Sequence, residues 1–438
     1  MTSRPAQPVL LQQVQLLEAE GQEPRRCDVL LDQGQLRAIG PEATAQASAS
    51  GLPVVSAELW VLAPALVDPH SYLEDPATGS AETLASLQRS ALAAGYGSVA
   101  LLPRARSWRD RPERLQSLGA EGPLQVLLWG SFSHGAAGED LAAHADQLAA
   151  GALGLAEGAC CPPLPLLERG LALGEFGSAP LLLAPRDPAL SQGGFVREGV
   201  EALRAGWPMD PAISETLPLQ SLLALATRHP ERRLQLMNLS TAEAVALLQA
   251  RPADQRPEAT VCWWHLLADS GTLDPIDEGW RLVPPLGTPS DRLALQQALG
   301  EGVIQAVAVH HEALDPEEQL LPLDQRKPGV AGHRFVLPSL WQELVVRRGW
   351  TVSQLWRALC FGPARLLGLE PPRLQQGSRR WLLFDPARAW QANADLDAPL
   401  AANQPLAQAE LTGQVLAVGL NPELWRLPLE PASADQRC

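Results

Sequence analysis

Three short runs carry residues suited to chemistry at metals, carbonyls or charged ligands. The first is Asp68-Pro69-His70-Ser71-Tyr72, where a carboxylate two residues before a histidine can orient an imidazole. The second is His310-His311, directly after an apolar run. Adjacent residues of a strand point to opposite faces, so only one of these two can enter a shared site. The third is Trp263-Trp264-His265, which offers either an aromatic wall for a ligand or a plug for a cavity. Arg104, Arg106 and Arg109 form a loop that suits either an anion or solvent. Cys160-Cys161 reads as two ordinary thiols, and Ser240 reads as the cap of the helix that follows it. The only lysine in 438 residues is Lys327, so lysine chemistry must use Lys327 or be absent.

The elements that position these residues alternate in type. Val9–Leu17, Cys27–Leu31 and Gln35–Ile39 read as short strands, followed by a small-residue linker at Ala43–Gly51. Apolar runs then recur at Leu59–Val67, Ser98–Leu102, Leu124–Leu128, Ala152–Leu155, Pro180–Leu183, Leu234–Met237, Ala259–Cys262 and Val303–Val309. Helical or irregular segments separate them. Eight such repeats favour a closed (β/α)8 barrel, an α/β fold, over an open sheet. No glycine-rich phosphate fingerprint follows the first run. Val352–Leu366 reads as an amphipathic helix, and Trp381–Phe384 and Gln414–Val418 as further strands. The expected domains are residues 1–60 and 371–438, which together build one small β-sandwich, and a barrel over 61–370.

Composition narrows the partners. The net charge of −15 excludes nucleic acid and anionic membranes as main partners, because both need a basic surface. No signal peptide or membrane-spanning run is visible. Six scattered cysteines without a CxxC pair fit a reducing cytoplasm.

Read in order, the strand ends resemble the dihydroorotase and cyclic-amidohydrolase family. Its first strand ends in Asp-x-His-x-His-Leu-Arg-Glu-Pro, matched here by Asp68 to Pro76. Gly151-Ala152-Leu153-Gly154-Leu155 resembles its fourth strand, Leu239-Ser240-Thr241-Ala242 its His-Val-Ser-Thr-Ala motif, and Pro284-Pro285-Leu286 its Asn-Pro-Pro-Leu-Arg motif. Gly362-Pro363-Ala364-Arg365 and Thr412-Gly413-Gln414-Val415 continue the match to the C-terminal sandwich. The resemblance covers nearly the whole chain.

What the resemblance implies about chemistry runs the other way. The family binds zinc through a His-x-His pair, a carbamylated lysine, two further histidines and an aspartate. Those positions are expected at His70, Tyr72, Ala156, Ala184, Asn238 and His310. The family's substrate-binding positions are expected at Glu74, Arg104, Val283 and Gly287. A catalytic zinc needs about three protein ligands, and glutamate in place of a carboxylate-clamping arginine repels an anion. The resemblance therefore implies a dihydroorotase-like pseudoenzyme without a cofactor. Its expected role is structural or regulatory in pyrimidine biosynthesis, with aspartate transcarbamoylase or a second copy as partner. Two alternatives stay open. One is an active amidohydrolase with a rebuilt zinc site on His70, His310 and either Glu157 or His265. The other is a ligand-binding module at a vacated barrel mouth, walled by Trp263, Trp264 and His265.

Overall fold

The computed structural model describes residues 7–116, 118, 122–272, 279–322, 324–392 and 397–427. Cys438 and the tail from 428 onward lie outside the described residues. Eight parallel strands form the barrel: Leu66–Ser71, Tyr96–Leu101, Gln125–Ser131, Gly154–Ala156, Leu181–Leu183, Leu234–Leu236, Glu258–Cys262 and Ala306–Ala308. They are hydrogen-bonded in chain order. Runs such as Leu181-Leu182-Leu183 are buried throughout, as strands covered on both faces must be.

The first and eighth strands meet just beyond their regular ends. His310 N donates to His70 O at 3.1 Å, and Tyr72 N donates to His311 O at 2.8 Å. Asp68, fully buried, reinforces this seam. Its carboxylate accepts from Val309 N (3.1 Å), Ser71 Oγ and His333 Nε2 (3.0 Å). One side chain thus ties the first strand to the eighth and to the helix His333–Leu340.

Helices outside the barrel start at identifiable caps. Thr83 accepts from Ser86 N, and Thr288 with Asp291 makes a reciprocal capping box. The cap expected at Ser240 is instead Thr241, which accepts from Ala244 N. Ser240 faces inward, where its hydroxyl meets Arg197 and Glu215.

Both chain ends build a seven-stranded mixed sheet, the small β-sandwich beside the barrel. Its order is Glu410–Val418, Trp381–Gln391, Val61–Pro64, Val9–Leu16, Arg25–Asp32 and Gln35–Ile39, with Val54–Ser56 beside Val9–Leu16. Its core holds Val9, Leu31, Leu62, Trp381, Leu383 and Leu416. Two expectations are corrected here. Leu59–Val67 is not one barrel strand. Val61–Pro64 pairs antiparallel with Trp381–Phe384, and the barrel begins at Leu66. Pro64 lacks an N–H, so the strand ends there, and Ala65 N reaches back to Arg380 O. Ala43–Gly51 is not a linker but lies in the helix Pro41–Ser50, with proline at its first turn and Gly51 left-handed at its end. Ala43 and Ala47 let this helix lie close on Leu10, Leu30 and Ala38.

Two substitutions test this packing. Asp68→Ala leaves three buried donors without their acceptor, and should lower stability by about 3–5 kcal/mol. Leu383→Ala should cost about 2–5 kcal/mol through a cavity in the sandwich. Urea midpoints measure both. An Asp68→Ala midpoint equal to that of the wild type would remove the role given to this carboxylate.

Candidate functional site at the barrel mouth

The strand ends converge on a row of stacked side chains. His70 is fully buried. Its Nε2 lies 2.8 Å from Thr260 Oγ1, and its Nδ1 lies 3.1 Å from Nδ1 of His310. The two rings meet edge to face at 5.1 Å. Tyr72 also packs edge to face against His310, at 5.1 Å. The Arg104 guanidinium covers the Tyr72 ring at 3.8 Å and pairs with Glu312. The row His70–His310–Tyr72–Arg104–Glu312 thus crosses the mouth. The adjacent histidines diverge: His311 turns toward Glu82 (3.4 Å) and the His333 ring (5.0 Å).

Alanine methyls and an amide fill the other strand ends. Ala156 and Ala184 are buried in an apolar cluster with Trp129, Leu182 and Met237. Asn238 N donates to Thr260 Oγ1 at 2.9 Å. Asn238 and His310 both have left-handed backbone, with φ of 53° and 49°. Ala184, Arg186, Arg197, Glu215, Asn238 and His310 line a cavity of only about 20 Å³, room for roughly one water.

Burial sets the protonation of these groups. It lowers His70 to about 4, against the opposing pull of Asp68. It holds His310 well below its usual value, with His70 and Arg104 pushing the same way. His265 is also lowered to about 4, chiefly by burial. All three imidazoles are neutral near pH 7. Burial also raises Glu312, which Arg104 opposes.

The residues present do not fit a zinc ion. Both nitrogens of His70 are engaged by protein atoms, Nε2 by Thr260 Oγ1 and Nδ1 by His310 Nδ1. Alanine has no lone pair, and a side-chain amide is a poor zinc ligand. Glu157 binds Ser133 N at 3.0 Å and Ser133 Oγ, while His265 Nε2 lies 3.1 and 3.2 Å from the carbonyls of Pro284 and Pro285. Among the described residues, no group of three or more His, Cys, Asp or Glu side chains is arranged to hold a metal.

Trp263, Trp264 and His265 are buried rather than lining open space. The Trp263 ring packs on Gly332, where a Cβ would meet it at 2.3 Å. Trp264 Nε1 donates to Gly279 O at 2.8 Å. Glu74 is exposed at the rim. Gly287 lies against Asp291, where a Cβ would sit 2.6 Å from its Cβ, so the helix start leaves no space for a side chain. Arg109 is buried, donating to the carbonyls of Leu102 and Leu73, so it braces a loop instead of facing an anion or solvent.

One buried network escaped the sequence reading. Arg197, on a short strand after the fifth barrel strand, pairs with Asp210 and Glu215, each at 3.2 Å. It also donates to Ser240 Oγ at 2.8 Å and Ser214 Oγ at 2.9 Å. Arg186 adds a second contact to Asp210 at 3.1 Å. These contacts fix the floor of the mouth between the fifth and sixth strands. An arginine among polar loop residues gives no burial signal in the sequence.

A barrel with a sandwich built from both chain ends, and strand ends converging at one mouth, defines the cyclic-amidohydrolase architecture. Solved structures agree. L-Hydantoinase (dihydropyrimidinase) from Arthrobacter aurescens superposes with a TM-score of 0.75 at 17% identity, covering 94% of both chains. Dihydropyrimidinase from Brevibacillus agri gives 0.73 at 18% identity, over 94% of this chain and 93% of that one. No protein-family model matches the sequence. Among curated proteins, a probable dihydroorotase-like protein of Synechocystis is 35% identical over 398 residues, 83% of this chain and 89% of its own length. A dihydroorotase of Solibacter usitatus is 25% identical over 422 residues, 94% and 97% of the two chains. The chain belongs to the dihydroorotase family of cyclic amidohydrolases.

The buried neutral histidines make stability depend on pH. A histidine lowered from 6.5 to about 4 in the folded state contributes its full share above pH 6.5. That share falls as the unfolded chain takes up a proton, by about 1.4 kcal/mol per pH unit for each such group. Urea stability should therefore drop between pH 6.5 and pH 4, and the slope should be shallower in His70→Gln. A flat profile across that window would show that His70 is not held neutral.

Proposed function

We propose that this chain is a non-hydrolytic member of its family, with a structural or regulatory role in pyrimidine biosynthesis. The observation that carries the reading is the engaged His70–His310 pair beside the methyls of Ala156 and Ala184. Activating a water for attack on an amide carbonyl requires an open metal position or a base facing free space. Here the imidazoles bond to each other and to Thr260, and the cavity beside them holds about one water. Charge supports the same reading. Glu74 and Arg104, the latter paired with Glu312, stand where the family resemblance implies substrate-binding groups. The buried barrel and sandwich remain a sound scaffold, which favours a role that depends on surface and shape. Aspartate transcarbamoylase is the proposed partner, from the resemblance to inactive family members, and the cytoplasm is the proposed location. No helix among the described residues is long and apolar enough to cross a membrane.

Two measurements on one native preparation test this. Purified chain should neither hydrolyse dihydroorotate nor form it from carbamoyl aspartate. Affinity isolation from the native cell should bring down aspartate transcarbamoylase in fixed ratio. Turnover that disappears in His70→Ala would overturn the non-hydrolytic reading. Isolation of the chain alone would overturn the partner.

A further inference from the structure

The small cavity over the fifth and sixth strands is short of acceptors. Arg186, Arg197 and Asn238 all line it. Arg197 is only 2% exposed and Asn238 only 3%. Arg186 Nε, Arg197 Nε and Asn238 Nδ2 are each buried without a hydrogen-bond partner among the described residues. A buried donor left in that state is costly unless something accepts from it.

The acceptors nearby are already in use. The Asp210 oxygens accept from Arg186, Arg197 and Ser214. The Glu215 oxygens accept from Arg197 and from the amide and hydroxyl of Ser240. Asn238 Oδ1 faces Thr260 Oγ1 at 3.5 Å, and the His310 ring is taken by His70 and the Val283 carbonyl. All four carboxylate oxygens thus accept, while three N–H groups donate to nothing. Two of those three belong to guanidiniums, which stay charged at any ordinary pH.

The occupant that such a lining suits has the size of a water molecule but not its chemistry. The cavity of about 20 Å³ sets the size. A water accepts two hydrogen bonds and must place two protons of its own. The side chains of Ala159, Ala184, Met237 and Val283, on the rest of the lining, offer those protons no acceptor. A monatomic anion accepts from every side and donates nothing. Chloride is only slightly larger than water.

We propose that this cavity is a chloride-sized anion site, held by the guanidiniums of Arg186 and Arg197 and the amide of Asn238. The family resemblance places metal ligands at Ala184 and Asn238, so the position is remade with the opposite sign of ligand. The inference rests on the metal-free reading of the mouth, because a cation there would exclude the anion.

Bromide, a chloride analogue visible by anomalous scattering, is the first probe. Crystals of the full chain grown in sodium bromide without chloride should show an anomalous peak in the cavity. In solution, the urea midpoint should rise and saturate with sodium chloride. Sodium gluconate, whose anion is too large for the cavity, should not reproduce the rise at equal ionic strength, where screening is the same. Asn238→Asp keeps the left-handed backbone that asparagine and aspartate both tolerate. It also sets a carboxylate against the anion, so half-saturation should move to at least about tenfold more chloride. Arg186→Gln, at the partly open edge with Arg197 still on Asp210, should move it less but in the same direction. If Asn238→Asp does not fold, Arg186→Gln and the bromide peak decide the matter. A metal-free chain with no bromide in the cavity, superimposable chloride and gluconate curves, or equal half-saturation in the folded variants would each overturn the proposal alone. Stoichiometric zinc in the same preparation would overturn the metal-free reading, and the proposal with it.

Discussion

Closing the barrel puts a charged group where none would otherwise belong. Asp68 is buried completely, yet it accepts from a backbone amide of the eighth strand, a serine of its own strand and a histidine of a later helix. A buried carboxylate is tolerated only when its oxygens are satisfied. Satisfying this one requires the first strand, the eighth strand and the helix His333–Leu340 to sit in one arrangement. That arrangement brings His70 against His310, and Tyr72 against His310 in turn. The mouth of the barrel follows from its seam.

The mouth then divides into two regions of different character. Over the barrel axis, neutral imidazoles, methyls and the paired Arg197 and Glu215 leave a cavity of only about 20 Å³. To one side, charged loops from the first, second and eighth strands hold a wide groove. The Arg104–Glu312 pair lies on the boundary, with Tyr72 beneath it. Polar groups stand in both regions, and the surplus of carboxylates gives the off-axis groove the sign opposite to an anion site.

Much of the fold was legible because buried parallel strands must be apolar along their whole length, as Leu181–Leu183 and Ala306–Ala308 are. Leu59–Val67 misled for the same reason. Two consecutive strands of different sheets share one apolar run, and only the missing N–H of Pro64 separates them. The helix Pro41–Ser50 was obscured by its small residues, although Pro41 and Gly51 mark its ends. In the site, residue types were readable but their partners were not. The contact between His70 and His310 spans 240 positions and exists only once the barrel closes. Lys327 stands well past the eighth strand in sequence, yet its loop returns to line the groove with Glu318. Arg197 could not be recognised as buried, because its carboxylate partners lie 13 and 18 residues away on other elements.

The central claim is that the strand ends hold a self-contained hydrogen-bonded pair rather than a metal centre. Elemental analysis of chain purified without chelators from zinc-supplemented cells tests it most directly. Zinc should stay far below one ion per chain, unchanged by His70→Ala. One or two zinc ions per chain, lost in His70→Ala or His310→Ala, would contradict it.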